Sequence, residues 1–220
     1  MVAQPMNSPI FPDPELADAQ GLLAWGGDLA PETLLAAYRQ GIFPWYGEND
    51  PILWWSPDPR MVLFPGEFHA SRRLQRRWRS GSYTCTWDGD FAAVIRACAE
   101  RPGQGTWIFP EMMAAYEALH RLGHAHSLEV WRHGELVGGL YGVLLGGVFF
   151  AESMFSRTRD GSKLALRQLA ERAADQGWTM IDCQFHTGHL ESLGARQISR
   201  RQFLALLHGS IDTPEEVKGA

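Results

Sequence analysis

Between residues 127 and 155 the chain alternates with a period of two, and the alternation breaks only at His133-Gly134 and Gly146-Gly147. A period of two puts successive side chains on opposite faces of a strand, and short Gly-containing breaks are hairpin turns. Residues 127–132, 136–145 and 148–155 are therefore predicted as three strands of one meander. A helix over 162–176, stopped by Gly177, and an apolar strand over 178–185 follow. Upstream, 90–100 and 110–122 carry helical periodicity, with Asp90 as cap and Gly123 as stop. Two helices, a meander, a helix, a strand and final helical pieces near Leu190 and over 199–208 predict an α+β, or mixed α/β, sheet domain.

Composition changes near residue 60. Residues 61–64 and 82–87 read as strands and 71–79 as a helix. Residues 1–60 are rich in Pro, Gly and Trp, with one helix over 31–40 between Pro31 and Gly41. The expected division is a small, irregular N-terminal domain over 1–60 and a larger domain over 61–220. Charge divides there too. Eight acids and two bases precede Met61, whereas 17 acids and 18 bases follow it. The net charge of −5 excludes general nucleic-acid coating but not local phosphate binding where bases cluster. With 45% hydrophobic and 20% charged residues, the chain can bury a core and is not disordered. Its longest near-apolar run, 138–151, has 14 residues and five glycines, against about 20 needed for a membrane span. The start, MVAQPMNSPIFPDPEL, has neither the basic nor the apolar stretch of a signal peptide. Cys85, Cys98 and Cys183 read as unpaired thiols of a reducing, cytoplasmic setting.

Several residues could carry chemistry. The run HASRRLQRRWR holds Arg72, Arg73, Arg76, Arg77 and Arg79 with no acid between them. On a helix it is either a solvated face or a surface for several phosphates. In IDCQ, strand alternation places Asp182 and Gln184 on one face and Cys183 on the other. Such a pair either orients and deprotonates a nucleophile or is a structural hydrogen bond. Glu152, in the apolar FFAESMF, needs a partner, because burying a lone carboxylate is costly. That partner is a substrate cation or donor, or a neighbouring Arg. Gly161, Ser162 and Lys163 open a helix, where free amides and a Lys favour an anion. The sets His120/His124/His126 and Cys183/His186/His189 lack metal-ligand spacing, so no metal is expected. No GxSxG motif marks a serine hydrolase. Trp45, Trp54, Trp55 and Trp107, of nine tryptophans in all, are core residues or rings held for stacking on bases.

Taken together, GLLAWGGDLAPETLLAAY, GIFPWY, PILWWSPDPR, GTWI, LGHAHSLEVW, ELVGGLYGV, ESMFS, SKLAL, IDCQ and SLGA resemble the leucyl/phenylalanyl-tRNA–protein transferase family along nearly the whole chain. The resemblance implies a small N-terminal domain joined to a GNAT-like acyltransferase domain. It implies transfer of Leu, Phe or Met from aminoacyl-tRNA to the α-amino group of proteins beginning with Arg or Lys, which marks them for degradation. Asp182 and Gln184 fall on the family's catalytic positions, and Trp45, Trp107, Phe149 and Glu152 on its substrate-binding ones. Leu140, Met154, Leu169 and Ile181 are expected to wall the amino-acid pocket. Arg72, Arg73, Arg76, Arg77, Arg79 and Lys163 are expected to face the tRNA. Ala151, Leu169 and Ala173 depart from the Gly or Phe of relatives, which bears on pocket size. No cofactor is expected, since an aminoacyl ester is already activated. A monomer is expected, because no heptad pattern is present. Two rival readings are a CoA-dependent GNAT acetyltransferase, whose pyrophosphate loop RTRDGSKLA does not reproduce, and a non-catalytic RNA-binding module, which leaves Asp182 and Gln184 idle.

Overall fold

The computed structural model describes residues 4–6, 10–100 and 106–211. Residues 1–3 and 7–9 of the stretch read for a signal peptide, and Gly105 of GTWI, lie outside them. The first 60 residues contain β1 (Gln4–Met6), β2 (Leu22–Gly26), α1 (Pro31–Arg39), β3 (Phe43–Pro44) and β4 (Leu53–Trp55). Where an irregular segment was expected, the strands form a sheet in the order β1-β2-β4-β3. They are five residues at most, too short to show periodicity, and are paired around one aromatic anchor. Trp54 is fully buried, its indole N–H donates to the Gly26 carbonyl at 2.8 Å, and Phe11 meets its ring edge-on.

The second sheet has seven strands: β5 (Arg60–Leu63), β6 (Thr84–Trp87), β7 (Ala125–Arg132), β8 (Glu135–Leu145), β9 (Val148–Ser156), β10 (Met180–Gln184) and β11 (Arg196–Ile198). Their order is β11-β5-β10-β9-β8-β7-β6. The predicted meander is β7–β8–β9, and His133 and Gly134 both take positive φ in its first turn, as a tight hairpin requires. The helices are α2 (Arg72–Arg79), α3 (Phe91–Ala99), α4 (Pro110–Arg121), α5 (Gly161–Asp175), α6 (Gly188–Glu191) and α7 (Arg200–Ile211). The architecture is mixed α/β. No helix among the described residues is long and apolar enough to cross a membrane.

Three features place the site. First, α5 crosses from β9 to β10, which pair in parallel with Ile181 opposite Phe149, so the C-terminal ends of both strands lie side by side. Second, the start of α5 sits directly on β8. A Cβ on Gly138 would lie 2.5 Å from the Gly161 carbonyl carbon, a contact only glycine permits. Third, the apolar core is continuous between the two sheets, with Leu34 and Tyr38 of α1 in one cluster with Phe150 and Phe203. The Tyr38 and Phe150 rings lie 4.9 Å apart. Burying a Phe side chain stabilises by roughly 1.5–3 kcal/mol, so this seam is held by apolar contact.

Candidate active site

Two bulges in neighbouring strands build the centre. In β9 against β8, Ser153 pairs with Tyr141 and Ala151 with Gly142, which leaves Glu152 as the extra residue. In β10 against β5, Asp182 pairs with Val62 and Gln184 with Met61, which leaves Cys183 extra and puts Gln184 at φ +56°. Bulges re-aim side chains, and these bring Glu152 and Gln184 together. The Gln184 amide Nε2 donates to Glu152 Oε1 at 3.0 Å. The Tyr116 hydroxyl of α4 donates to Glu152 Oε2 at 3.0 Å, and the Tyr38 hydroxyl of α1 is hydrogen-bonded to that of Tyr116. Within the protein, Glu152 therefore hydrogen-bonds a tyrosine and an amide and not the neighbouring Arg that was one alternative. Its partners are neutral donors.

The expectation for Asp182 is corrected by the bulge. Regular alternation would give it the same outlook as Gln184, but it is fully buried and lines neither of the two cavities that Gln184 borders. Its Oδ1 accepts from Arg60 Nε at 2.8 Å and its Oδ2 from Arg60 Nη2 at 2.6 Å. Oδ1 also accepts the backbone N–H of Gln184 at 2.9 Å. Asp182 thus touches the backbone of Gln184 and not its amide side chain.

Burial pushes the Glu152 carboxyl up to about 7, against hydrogen bonds from Tyr38 and Tyr116 that lower it, with the charge of Asp182 adding to the rise. A raised acid pKa means that the folded state binds the proton more tightly than the unfolded state. Stability then falls as pH rises from the unfolded value, 4.5, through about 7. Glu152→Gln removes this pH dependence, and is expected to raise the thermal midpoint more at pH 8 than at pH 5 relative to the parent chain. Equal shifts at both pH values would show that Glu152 is not a buried carboxylate titrating near neutrality. Burial also holds the Tyr38 and Tyr116 hydroxyls well above their ordinary values, so both stay protonated donors. It pushes the Cys183 thiol up as well, which makes it a poor nucleophile.

Glu152, Cys183, Gln184, Thr187 and Leu190 line both of two neighbouring cavities. One is a cleft of about 970 Å³, bounded also by Leu140, Met154 and Leu166. The other is a pocket of about 200 Å³, bounded by Phe43, Trp45, Trp107 and Phe185. Trp45 is 42% exposed and meets Phe185 and Trp55 at ring distances of 5.3 and 5.7 Å. Of the residues expected to line the site, Leu140 and Met154 do so in the cleft, and Trp45 and Trp107 in the aromatic pocket. Phe149, Leu169 and Ile181 do not. All three are fully buried, with Phe149 stacked on Trp178 and Ile181 opposite Phe149 in register. They are filled in behind the cleft wall, and Leu166, one turn earlier on α5, takes the lining position foreseen for Leu169.

Comparison with known proteins decides the family. Residues 62–208 match the leucyl/phenylalanyl-tRNA protein transferase family, and residues 27–58 match its N-terminal domain. The chain belongs to this family. A leucyl/phenylalanyl-tRNA–protein transferase from Syntrophobacter fumaroxidans is 58% identical over 213 residues, covering 96% of this chain and 90% of the relative. One from Chromohalobacter salexigens is 56% identical over 214 residues, covering 96% and 84%. Among solved structures, FemX matches 80% of this chain and 71% of its own, with a TM-score of 0.46 and 13% identity. A GCN5-related N-acetyltransferase from Kribbella flavida matches 75% and 60%, with a TM-score of 0.41 and 12% identity.

In this member of the family the basic run forms α2, capped by Ser71, which accepts from the Leu74 N–H at 3.2 Å. Arg72, Arg73, Arg76 and Arg79 are exposed and form no ion pair among the described residues. Arg77 differs, because its guanidinium donates to the Arg159 carbonyl at 2.6 Å and meets Asp160 at 3.3 Å. Lys163 lies 3.9 Å from the same Asp160, so both are tied to the turn before α5. His120 and His126 flank Asp88, with His126 Nδ1 2.7 Å from its carboxylate. No group of three or more His, Cys, Asp or Glu among the described residues could hold a metal.

Sequence reasoning missed Arg60, Tyr38, Tyr116 and Leu166. The rule that a buried carboxylate requires donors announced that Glu152 had partners without saying which. Arg60, at the end of WWSPDPR, had no local signal separating it from a surface arginine.

Proposed function

We propose that this transferase moves Leu, Phe or Met from aminoacyl-tRNA to the α-amino group of proteins that begin with Arg or Lys, in the cytoplasm and as a monomer. One observation carries the reading: Gln184 and Glu152 line both a large cleft, whose lining includes Leu140, Met154, Leu166 and Leu190, and a small aromatic pocket. An aminoacyl adenosine end has this composition, an apolar side chain on one side of an ester and a flat base on the other. Trp45 and Trp107 take the terminal adenosine, and the cleft takes the amino-acid side chain. The exposed arginines of α2, with Lys163 at the start of α5, take the tRNA backbone, and Arg77 ties α2 to the turn before α5. Residues 1–60 and 61–220 act as the two domains.

The reaction joins the acceptor nitrogen to the ester carbonyl carbon and breaks the carbonyl–ribose C–O bond. An α-amine with a pKa of about 7.7–8.0 is partly neutral at pH 7, so positioning is the main task. Ionised Glu152 only accepts hydrogen bonds. It therefore fixes the Gln184 amide with its NH₂ inward and leaves Oε1 to accept from the attacking amine. As the C–N bond forms, the nitrogen must lose a proton, which finally resides on the ribose oxygen. A carboxylate titrating near 7 is matched to hold that proton between the two. The attack is direct, with no acyl-enzyme on Cys183.

The assay supplies labelled Phe-tRNA and a peptide beginning with Arg, with acetyl-CoA as alternative donor. Phenylalanyl transfer is expected, and acetyl transfer alone would replace this reading by the acetyltransferase one. Within the cleft, Leu166→Phe narrows the wall beside Leu140. One methylene in an apolar pocket is worth about 1–3 kcal/mol. The variant should lose kcat/KM for Phe-tRNA at least tenfold more than for Leu-tRNA. Equal loss for both donors would place the side-chain pocket elsewhere.

A further inference from the structure

We propose that Arg60 is a positioning residue that holds the Gln184 backbone, through Asp182, in register with the aromatic pocket, an inference that rests on the functional reading above. Arg60 is fully buried at the start of β5, and its donors reach two places. Nε and Nη2 grip Asp182, and Nη1 donates to the Gly41 carbonyl at 3.2 Å. Its guanidinium carbon lies 4.7 Å from the centre of the Phe43 ring and 4.5 Å from that of Phe203. A planar cation between two ring faces has little freedom to turn, so its fork aims in one direction.

Each end of this clamp meets a substrate cavity. On one side, Asp182 Oδ1 is shared between Arg60 Nε and the Gln184 N–H. Gln184 is a non-glycine residue at φ +56°, a conformation that persists only where surrounding contacts over-determine it. On the other side, Phe43 bounds the aromatic pocket and meets Phe185 edge-on at 5.6 Å. Arg60 thus joins the two walls between which the ester must lie. Asp182 acts as an acceptor for a backbone N–H, and its own charge is not used on the substrate.

The test uses Arg60→Lys, Asp182→Asn and Asp182→Ala in the full chain, with Leu-tRNA and an Arg-initial peptide. Lysine keeps the charge but cannot make the two-point grip. Displacement of reacting groups by about 1 Å can lower a rate by about 100-fold, so R60K should lose kcat on that scale with KM for Leu-tRNA within about threefold. D182N retains an Oδ1 that serves both Arg60 Nε and Gln184 N–H, but the NH₂ that replaces Oδ2 faces the Arg60 Nη2 donor, so one arm of the grip is lost. D182N should therefore lose kcat about tenfold, less than D182A, with the acid limb of its pH profile moved to lower pH, because the charge of Asp182 raises the Glu152 pKa. D182A should fall as far as R60K. A folded R60K with unchanged kcat and a lower melting temperature would reduce Arg60 to a structural role and overturn the proposal. If R60K does not fold, D182N decides, and a loss equal to that of D182A overturns it. Hydrogen exchange at the Gln184 amide gives a readout independent of catalysis. It should quicken at least tenfold in R60K or D182A while the amides of β8 keep their protection, and unchanged exchange overturns the proposal. If the parent chain transfers nothing from any aminoacyl-tRNA, yet this amide loosens, the functional reading fails and the clamp stands.

Discussion

Glu152→Gln is expected to lower kcat for aminoacyl transfer about 100-fold, within the range general acid–base groups contribute, and to remove the limb of the pH profile near 7. The parent enzyme should gain activity as pH rises through about 7, because the carboxylate form of Glu152 both fixes the Gln184 amide and can take a proton. The substitution preserves volume and the hydrogen bond from Tyr116, so folding is retained. It disturbs the other contact. A new amide at position 152 that accepts from Tyr116 presents its NH₂ to Gln184, so two donors face each other and the Gln184 amide must turn over. Its oxygen then leaves the position from which it accepts the amine. The variant should retain only the titration of the acceptor amine, at about 7.7–8.0. Initial rates of labelled Leu transfer to an Arg-initial peptide, taken across the neutral range, check this. A pH profile with both limbs intact and an unchanged kcat would remove Glu152 from the chemistry.

Neutralising Arg72, Arg73, Arg76 and Arg79 together should weaken Leu-tRNA binding by about 100-fold or more at moderate salt. The four guanidinium groups are exposed on one short helix and make no ion pairs among the described residues, which leaves them open to phosphates. Each phosphate contact contributes about 0.7–0.9 to the slope of log K against log salt. The quadruple variant should therefore lose about 3 from that slope if all four groups contact the backbone. Because α2 bounds neither the cleft nor the aromatic pocket, transfer from a short donor, leucyl-adenosine, should be unaffected. An unchanged salt slope with full-length Leu-tRNA would make α2 an ordinary solvated face. Arg77 is left out because it is occupied by Arg159 and Asp160.

The meander, the helix after it and the strand bearing IDCQ were legible because each has a strong period and a Gly stop, both local properties. The small sheet was not legible, since strands of two to five residues around Trp54 leave no period to read. The same limit applies inside the site. Alternation put Asp182 and Gln184 on one face, and it fails there because a bulge is set by how β10 meets β5, not by the residues of IDCQ alone. Leu169 and Ile181 were expected in the pocket wall as apolar residues, and Phe149 at the substrate because of the family resemblance. Polarity separates buried from exposed, but not a cavity wall from the packed layer behind it. Leu166 and Leu169 are both buried leucines on α5, and only the packing around them makes one a lining residue.

What the chain's own order of residues determined is the set of elements, the mixed α/β class and the chemical inventory: an acid in an apolar strand, an amide after an acid, an arginine-rich helix and loop tryptophans. These follow from periodicity, turn chemistry and side-chain type, which act over a few residues. The tertiary structure alone decided which groups meet. Arg60 reaches Asp182 across 122 positions, and Glu152 takes donors from Tyr116 and Gln184 at separations of 36 and 32. Such meetings, like the bulges that aim Glu152 and Gln184, arise when buried polar groups must find partners among whatever the packed sheets bring near. That requirement is physical and general, but its solution depends on every distant element at once.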